Sequence, residues 1–477
     1  MRRRSPPKFD RQPDFIGQAR FRTKNGELRS PLECCFFLPI SETDKIWMLI
    51  RAARESLIQF CWKFACELRQ KDHFVIAEEV YHSGWTSWDW SKGAENTLIG
   101  GVTRLTVTHG NPEKSAISTV QFSITPSALL RSADVLDLEN RELSVHQVSR
   151  KGPECRVTPE IGFRFRSSYR LGFDSTVQSK VLCELIDVNE MLHSSRVMAA
   201  LDDVLLIASF AEGRNITWTE WEITYENTSS AHHFRRNFSP PREEETDIDE
   251  TLVALRDIEG FLNQAVTALR AFDHGDALRQ AIQFAISGQG RLIAHSYIIL
   301  FAGVETLLNV FRSQQNLETI ITKKKDWRSL RKQLASVVGT SEIILHLPLE
   351  RRSMLQNKLS ELNRVSFSDA FKSMCSLNGI DLSDLWPMMD DKGVSLTALR
   401  NQIVHGHVFP KTEQWFRMAS AKFHLLWSLE RIILKTLGWP IEKSRVSSRS
   451  LSGMKLYSDW HIDREFFAKL KKQTTRR

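Results

Sequence analysis

The sequence predicts an α+β protein of two main parts, a mostly β N-terminal domain followed by an all-α C-terminal domain. Three observations predict it. Strand-like stretches bounded by turn residues run through the first half, and a proline-containing acidic break, "SPPREEETDIDE", occupies 239–250. Helical periodicity then continues from Thr251 to about Trp439. The 477 residues are ample for two cores. The chain is divided accordingly into an N-terminal segment (1–43), a β-rich sensor or regulatory domain with an early helix (44–238), a linker (239–250), an all-α domain (251–440) and a basic C-terminal tail (441–477).

Each element has its own signal. The opening "MRRRSPPKFDRQPDF" is basic and contains prolines but lacks the apolar stretch of a secretory signal, so a cytoplasmic protein is expected. Apolar residues at helical spacing in 44–70 predict a helix. Strand-like stretches follow at 73–90, 100–125 and 204–228, the last beginning "VLLIASFAEGRNITWTEW". The acidic residues of the linker suit the N-terminus of the helix that comes next. Helices are then expected at 251–272, 276–287, 291–313, 318–338, 349–363, 366–377, 395–405 and 412–437.

Composition removes several function classes. With 42% apolar and 26% charged residues the chain reads as soluble and globular, and no uninterrupted apolar run of membrane-crossing length occurs. The seven cysteines are scattered and form no C-x-x-C pair, so they read as small buried hydrophobes rather than a disulfide or zinc framework. There is no phosphate-binding G-x-x-x-x-G-K-[ST] loop, no G-x-S-x-G elbow and no H-E-x-x-H. "GQGRL" (288–292) follows no strand and is discounted as a dinucleotide site. His232 and His233 are read as part of a polar loop without converging cysteines or carboxylates. The aromatic clusters at 84–90 and 216–221 read as β-domain core. No metal and no cofactor are expected.

The net charge of +8 is unevenly spread. Residues 441–477 hold ten Lys/Arg against four Asp/Glu. A second basic run, "KKKDWRSLRK" (323–332), places Lys323, Lys324, Lys325 and Arg328 around Trp327. Basic residues with an aromatic suit phosphate backbones and stacked bases. Taken alone, either run is first read as a solvated helix face or a frayed terminus.

The stretch that raises a sharper question is "LRNQIVHGH", 399–407. Arg-x4-His occurs three times in the chain, at Arg104–His109, Arg141–His146 and Arg400–His405, so spacing alone carries no weight. In the first copy strand alternation sends Arg104 and His109 to opposite faces. The neighbours distinguish the third copy. Ser395 suits an N-cap and Gly406 a C′ position, which bounds a short helix. At about 100° per residue, Leu396, Leu399 and Ile403 share an arc of roughly 60°, and Asn401 and His405 share the opposite face. Arg400 falls about 40° from Leu396, beside the apolar arc, where it needs a carboxylate. Glu305 is the one charged residue in "HSYIILFAGVETLLNVF" (295–311) and is the expected partner in a buried pair. The plainer alternative is that this pair only fixes helix packing.

With those residues in view, "LRNQIVHGH" resembles the signature of HEPN domains: Arg, Asn, a few mostly apolar residues, then His and Gly on a late helix. The long apolar helix carrying Glu305 and the amphipathic helix 412–437 extend the likeness to the Apea-like subgroup, in which a β-rich domain precedes the HEPN domain. The stretch 205–221 resembles such N-terminal domains less specifically. The resemblance implies a metal-independent RNA endonuclease of a bacterial defence or toxin type. Arg400, Asn401 and His405 would then be catalytic, Glu305, His407 and Lys411 supporting, and Lys323, Lys324, Lys325, Trp327 and Arg328 would contact RNA. It also implies a homodimer or larger even-numbered assembly whose site combines two copies of the motif. Phe416, Phe423, Leu426, Trp427 and Ile432 are expected to help pack that assembly. A non-enzymatic HEPN scaffold that binds RNA or nucleotide, and a small-molecule sensor acting through the β-rich domain, are the other readings left open.

Overall fold

The computed structural model describes residues 12–23, 26–27, 31–38, 46–52, 63–87, 96–110, 117–125, 127–130, 148–171, 177–186, 194–226, 229–235, 251–290, 292–341, 344, 346–390, 394–406 and 412–475. They form two units, one up to Val266 and one from Thr267. The expected linker, 239–250, and the motif Arg141–His146 lie outside the described residues.

In the first unit, strand alternation closes a barrel. Strands β1 (Phe15–Thr23), β3 (Leu32–Phe37), β4 (Ile46–Ala52), β5 (Lys63–Gln70), β6 (His73–Ser87) and β7 (Asn96–His109) are antiparallel neighbours in the order β4-β3-β1-β5-β6-β7, with the short β2 (Gly26–Glu27) beside β1. Pairing of β4 with β7 closes the ring. Alternate residues such as Phe21, Phe36, Met48, Phe64, Val75 and Val102 fill the interior, and Cys34 and Cys66 join them as small apolar side chains. Strand β7 serves two partners on one side: Asn96–Val102 pair with β4, and Arg104–His109 pair with β13 (Ser230–Arg235). From β13 the sheet continues through β12 (Trp218–Tyr225), β8 (Ile117–Ile124), β11 (Val177–Ile186), β10 (Ile161–Leu171) and β9 (Val148–Thr158). Helix α1 (Ser194–Glu212) packs against β9 and β10.

Edge strand β9 is covered by helix α2 (Ile258–Ala271). The Glu154 N–H donates to Glu259 Oε2 (3.2 Å), the Arg156 N–H to Asn263 Oδ1 (2.8 Å), and Asn263 Nδ2 returns a bond to the Glu154 carbonyl (3.0 Å). A carboxylate and an amide side chain thus substitute for a missing neighbour strand.

Three expectations are corrected here. Within the helix expected at 44–70, the described residues, 46–52 and 63–70, are two barrel strands, β4 and β5. In β5 the burial alternates strictly, with Phe64, Cys66 and Leu68 inside, but Phe64 and Leu68 are also four apart and so mimic a helix stripe. Conversely, 204–212 is not a strand but the second half of α1. Its apolar run is buried on nearly every side, including Val204, Leu205, Ile207, Ala208 and Phe210, and a run without a polar face carries no period to read. His232 and His233 lie within β13 rather than in a loop.

The second unit is helical. Among the described residues, each of the eight segments expected to be helical holds one α-helix: α2, which begins in the first unit and runs past Val266, then α3 (Gly275–Ser287), α4 (Ile293–Gln314), α5 (Lys324–Thr340), α6 (Leu349–Lys358), α7 (Phe367–Leu377), α8 (Leu396–Val404) and α9 (Thr412–Thr436). Helix α4 has the length and composition of a membrane-crossing helix, yet Tyr297, Leu300, Phe301, Val304 and Leu308 are buried and it packs on α3 and α9. The approach is close: a Cβ at Gly303 would meet the Leu429 side chain at 2.7 Å and that of Phe284 at 3.3 Å.

The segment expected as a basic tail folds back onto α9 as α10 (Ser448–Leu451), α11 (Lys455–Ser458) and α12 (Trp460–Thr475). Asp384 anchors this return. It accepts two bonds from the fully buried Arg431 (2.5 and 2.8 Å), one from Ser448 Oγ (2.6 Å) and one from Tyr457 Oη (2.6 Å). His424, also buried, is held as one tautomer. Its Nδ1 accepts from the Trp386 N–H (3.1 Å), so the proton is on Nε2, which donates to the Leu456 carbonyl (3.0 Å). Burial pushes its pKa down to about 4, so this imidazole is neutral and structural.

Candidate active site

Helix α8 is fixed at its start by a cap and by the preceding segment. Ser395 is the expected N-cap, its Oγ accepting from the Ala398 N–H (3.2 Å). The Leu396 and Thr397 N–H groups donate to the carbonyls of Pro387 (3.0 Å) and Met388 (3.1 Å), so the donors left over at the helix start are satisfied by the preceding segment. Tyr297 of α4 donates its buried hydroxyl to the Leu396 carbonyl (2.8 Å). Leu396 and Leu399 are fully buried as expected, whereas Ile403 is only partly so. At the other end Gly406 takes φ +76°, the left-handed conformation expected of a C′ glycine, and a Cβ there would meet nothing. Backbone geometry, not crowding, explains this glycine.

The structure brings Arg400 and Glu305 together at 3.5 Å. The pair is not buried, however: the two side chains are 32% and 39% exposed. Packing covers one side of α4, centred on Tyr297, Val304 and Leu308, and Glu305 lies at the margin of that stripe. The guanidinium also sits 5.4 Å from the centre of the Phe301 ring, one turn before Glu305 on α4, and donates to Asn401 Oδ1 at 3.3 Å. Asn401 and His405 are exposed, in keeping with the helix face assigned to them. Arg400 therefore stands over an aromatic ring with its edge open to solvent, next to an amide and one helix end away from an imidazole. Such a set can bind an anion and exchange a proton with it.

The remaining candidates divide. His407 and Lys411 lie outside the described residues. Lys323 precedes α5, and Lys324, Lys325 and Arg328 are exposed along its first turns with Trp327 half-buried among them. They make no hydrogen bond or ion pair with Arg400, Asn401 or His405 among the described residues. Neither α5 nor α6 buries a single residue, so the pair projects from the helical core. Its base is pinned by Asn363, which accepts from the Ile321 N–H (2.7 Å) and donates to the Ile321 carbonyl (3.1 Å).

The expected self-association face on α9 needs correction. Leu426, Trp427 and Ile432 are buried within the chain and are unavailable to a partner. Their apolar stripe packs the chain's own helices. Among the described residues, Val404 of α8, 53% exposed, and Phe416 at the start of α9, 72% exposed, are large apolar side chains left open.

Sequence reading missed a second cluster, in the first unit. His73, His109 and His232 line a cavity at the end of the barrel with Phe15, Leu38, Val107, Ser230 and Phe234. The signal in the sequence is "RLTVTH", where alternation puts Leu105, Val107 and His109 on one face of the strand.

In comparisons with known proteins, no protein-family model matches the chain, and no curated protein and no solved structure matches it either.

Proposed function

We propose that the helical unit is a HEPN-type, metal-independent RNA endonuclease, with Arg400, Asn401 and His405 as its catalytic residues. The observation that supports this most is the setting of Arg400, which is paired with Glu305 and rests near Phe301 but keeps a third of its side chain exposed. An arginine serving only to lock two helices would be covered. In the proposed reaction the 2′-oxygen attacks the adjacent phosphorus while neutral His405 takes its proton. The P–O5′ bond breaks, and an imidazolium protonates the leaving 5′-oxygen, giving a 2′,3′-cyclic phosphate and a 5′-hydroxyl. The planar fork of Arg400 matches two phosphate oxygens and the charge that builds on them. Asn401 positions the guanidinium through its Oδ1.

Arg400 and His405 diverge by about 140° around a regular helix, so one copy does not aim both at a single phosphorus. We infer a two-fold homodimer in which two α8 ends face each other, with Val404 and Phe416 as apolar contacts and the basic α5 drawing RNA in. The β-rich unit would act as sensor or restraint in a defence or toxin setting.

The test is cleavage of single-stranded RNA with and without EDTA, with analysis of the ends. Cleavage in EDTA leaving cyclic phosphate is expected, and His405→Ala should slow it by roughly 10²- to 10⁴-fold with an unchanged melting curve. Equal cleavage by wild type and His405→Ala, or none by either, overturns the reading.

A further inference from the structure

The end of the barrel carries a cup with its own chemistry. Cross-strand register aligns His73, His109 and Ser230 in one row over β6, β7 and β13, and two residues deeper Val75, Val107 and His232 form the next row. Two residues deeper again lie Ala77, Leu105 and Phe234. Residues two apart share a strand face, so these rows descend on the side that fills the barrel, where Val75, Ala77, Leu105, Val107 and Phe234 are core. The polar residues are therefore the rim of an apolar interior, completed by Phe15 and Leu38, which pack against the same core. The cavity measures about 350 Å³, within the range of small-molecule sites, and barrel mouths are a usual place for them.

The rim selects the ligand. The His73 ring lies 4.8 Å from that of His109 and 5.8 Å from that of Phe15, giving a tilted row of three rings. Among the described residues neither the His73 ring nor the His109 ring has a hydrogen-bond partner. His232 differs: its Nε2 meets Glu222 Oε1 at 2.9 Å across the strand pair. The His73 and His109 imidazoles and the Ser230 hydroxyl thus offer N–H and O–H donors over a floor of Val107 and Phe234. That combination suits an acceptor-rich anionic head on a flat apolar body and disfavours a cation. The imidazoles do not converge as metal ligands; no group of three His, Cys, Asp or Glu among the described residues does.

We propose that the barrel mouth is a binding site for a small aromatic carboxylate, whose ring enters between Phe15, Leu38 and Phe234 and whose carboxylate is held by His73 and His109. The site belongs to the first unit and does not depend on the ribonuclease reading. The test is calorimetric titration of the full chain with benzoate and indole-3-acetate against the isosteric amines benzylamine and tryptamine. The acids are expected to bind at least ten-fold more tightly than the amines. His109→Leu, at an exposed rim position, should weaken the acids about ten-fold while the melting curve stays in place. Ser230→Trp, which fills the mouth without touching the floor, should abolish binding. Equal affinity for acids and amines, unchanged binding in both variants, or no binding of either acid at millimolar concentration overturns the proposal.

Discussion

Arg431 and Arg400 each face a carboxylate on another segment of the helical unit, and the two settings could hardly differ more. Arg431 is 2% exposed, and its guanidinium is fully engaged: two bonds to Asp384, one to the Val446 carbonyl (2.8 Å) and one to the Asp381 carbonyl (3.0 Å). Arg400 has one longer ion pair to Glu305, one bond to its neighbour Asn401, and a ring beneath it. Arg431 shows what this fold does with an arginine that must hold segments together. Measured against it, Arg400 is underused. The expectation of a buried packing pair at Arg400–Glu305 fails, and the fully covered pair turns up at a place where helical periodicity gave no warning.

The largest effect should come from breaking the covered pair. Arg431→Ala strips Asp384 of its counter-charge inside the fold and is expected to cost about 3–5 kcal/mol in chemical denaturation. A loss below about 1 kcal/mol would erase the contrast with Arg400. A second measurement sharpens it through pH. Burial alone would raise the Asp384 carboxyl, but hydrogen bonds from Arg431, Ser448 and Tyr457 outweigh it and hold it well below the usual carboxylate range. A depressed folded pKa gives stability that is whole above the unfolded value and is lost as pH falls toward the folded one, so unfolding should ease below about pH 4. In Arg431→Ala that acid limb should shrink.

Glu430, adjacent in sequence to Arg431, has the opposite sign. It is 1% exposed, and neither carboxyl oxygen has a hydrogen-bond partner among the described residues. Burial pushes its pKa up to about 7, with Arg445 pulling the other way. A raised carboxyl pKa means that the folded state holds the proton the unfolded state has released. Stability is then full below the ordinary glutamate value and falls as pH rises through about 7. Glu430→Gln should remove that slope and leave the variant more stable at pH 8, by on the order of 3 kcal/mol. Identical pH profiles for wild type and variant would show that Glu430 is not the group responsible.

What could be read from the chain follows the same physics. The helices of the second unit were legible because each has a packed face and a solvent face, and α8 was legible down to its Ser395 cap and Gly406 stop. The barrel strands β4 and β5 were not, because in a short strand alternate apolar residues also fall four apart. The second half of helix α1, from Val204, was hidden for the reverse reason, being buried on nearly every side. The Arg431–Asp384 anchor joins residues 47 apart in sequence, and no local pattern announces such a pairing. The barrel-mouth histidines come from three strands, so only the register of β6, β7 and β13 places them together. Local periodicity finds elements, and sites built across elements need the fold.

The smallest change in stability and the most telling one belongs to Arg400. Its pair with Glu305 is solvent-screened at 32% and 39% exposure, so Coulomb attraction and side-chain ordering nearly offset each other. The contact with Phe301 at 5.4 Å adds a modest cation–π term. Together these place the cost of Arg400→Ala at roughly 1 kcal/mol or less in unfolding. If the guanidinium instead meets the charge that develops on phosphorus, the same substitution should lower RNA cleavage by about 10²- to 10³-fold, far beyond its structural cost. Arg400→Lys separates the two roles further. It keeps the charge beside Glu305 but removes the planar fork, so it should match wild type in stability yet stay well below it in rate. A lysine variant with full activity would mean that a point charge suffices there. An alanine variant that unfolds several kcal/mol more easily would make Arg400, like Arg431, an arginine that holds segments together rather than a reactive one.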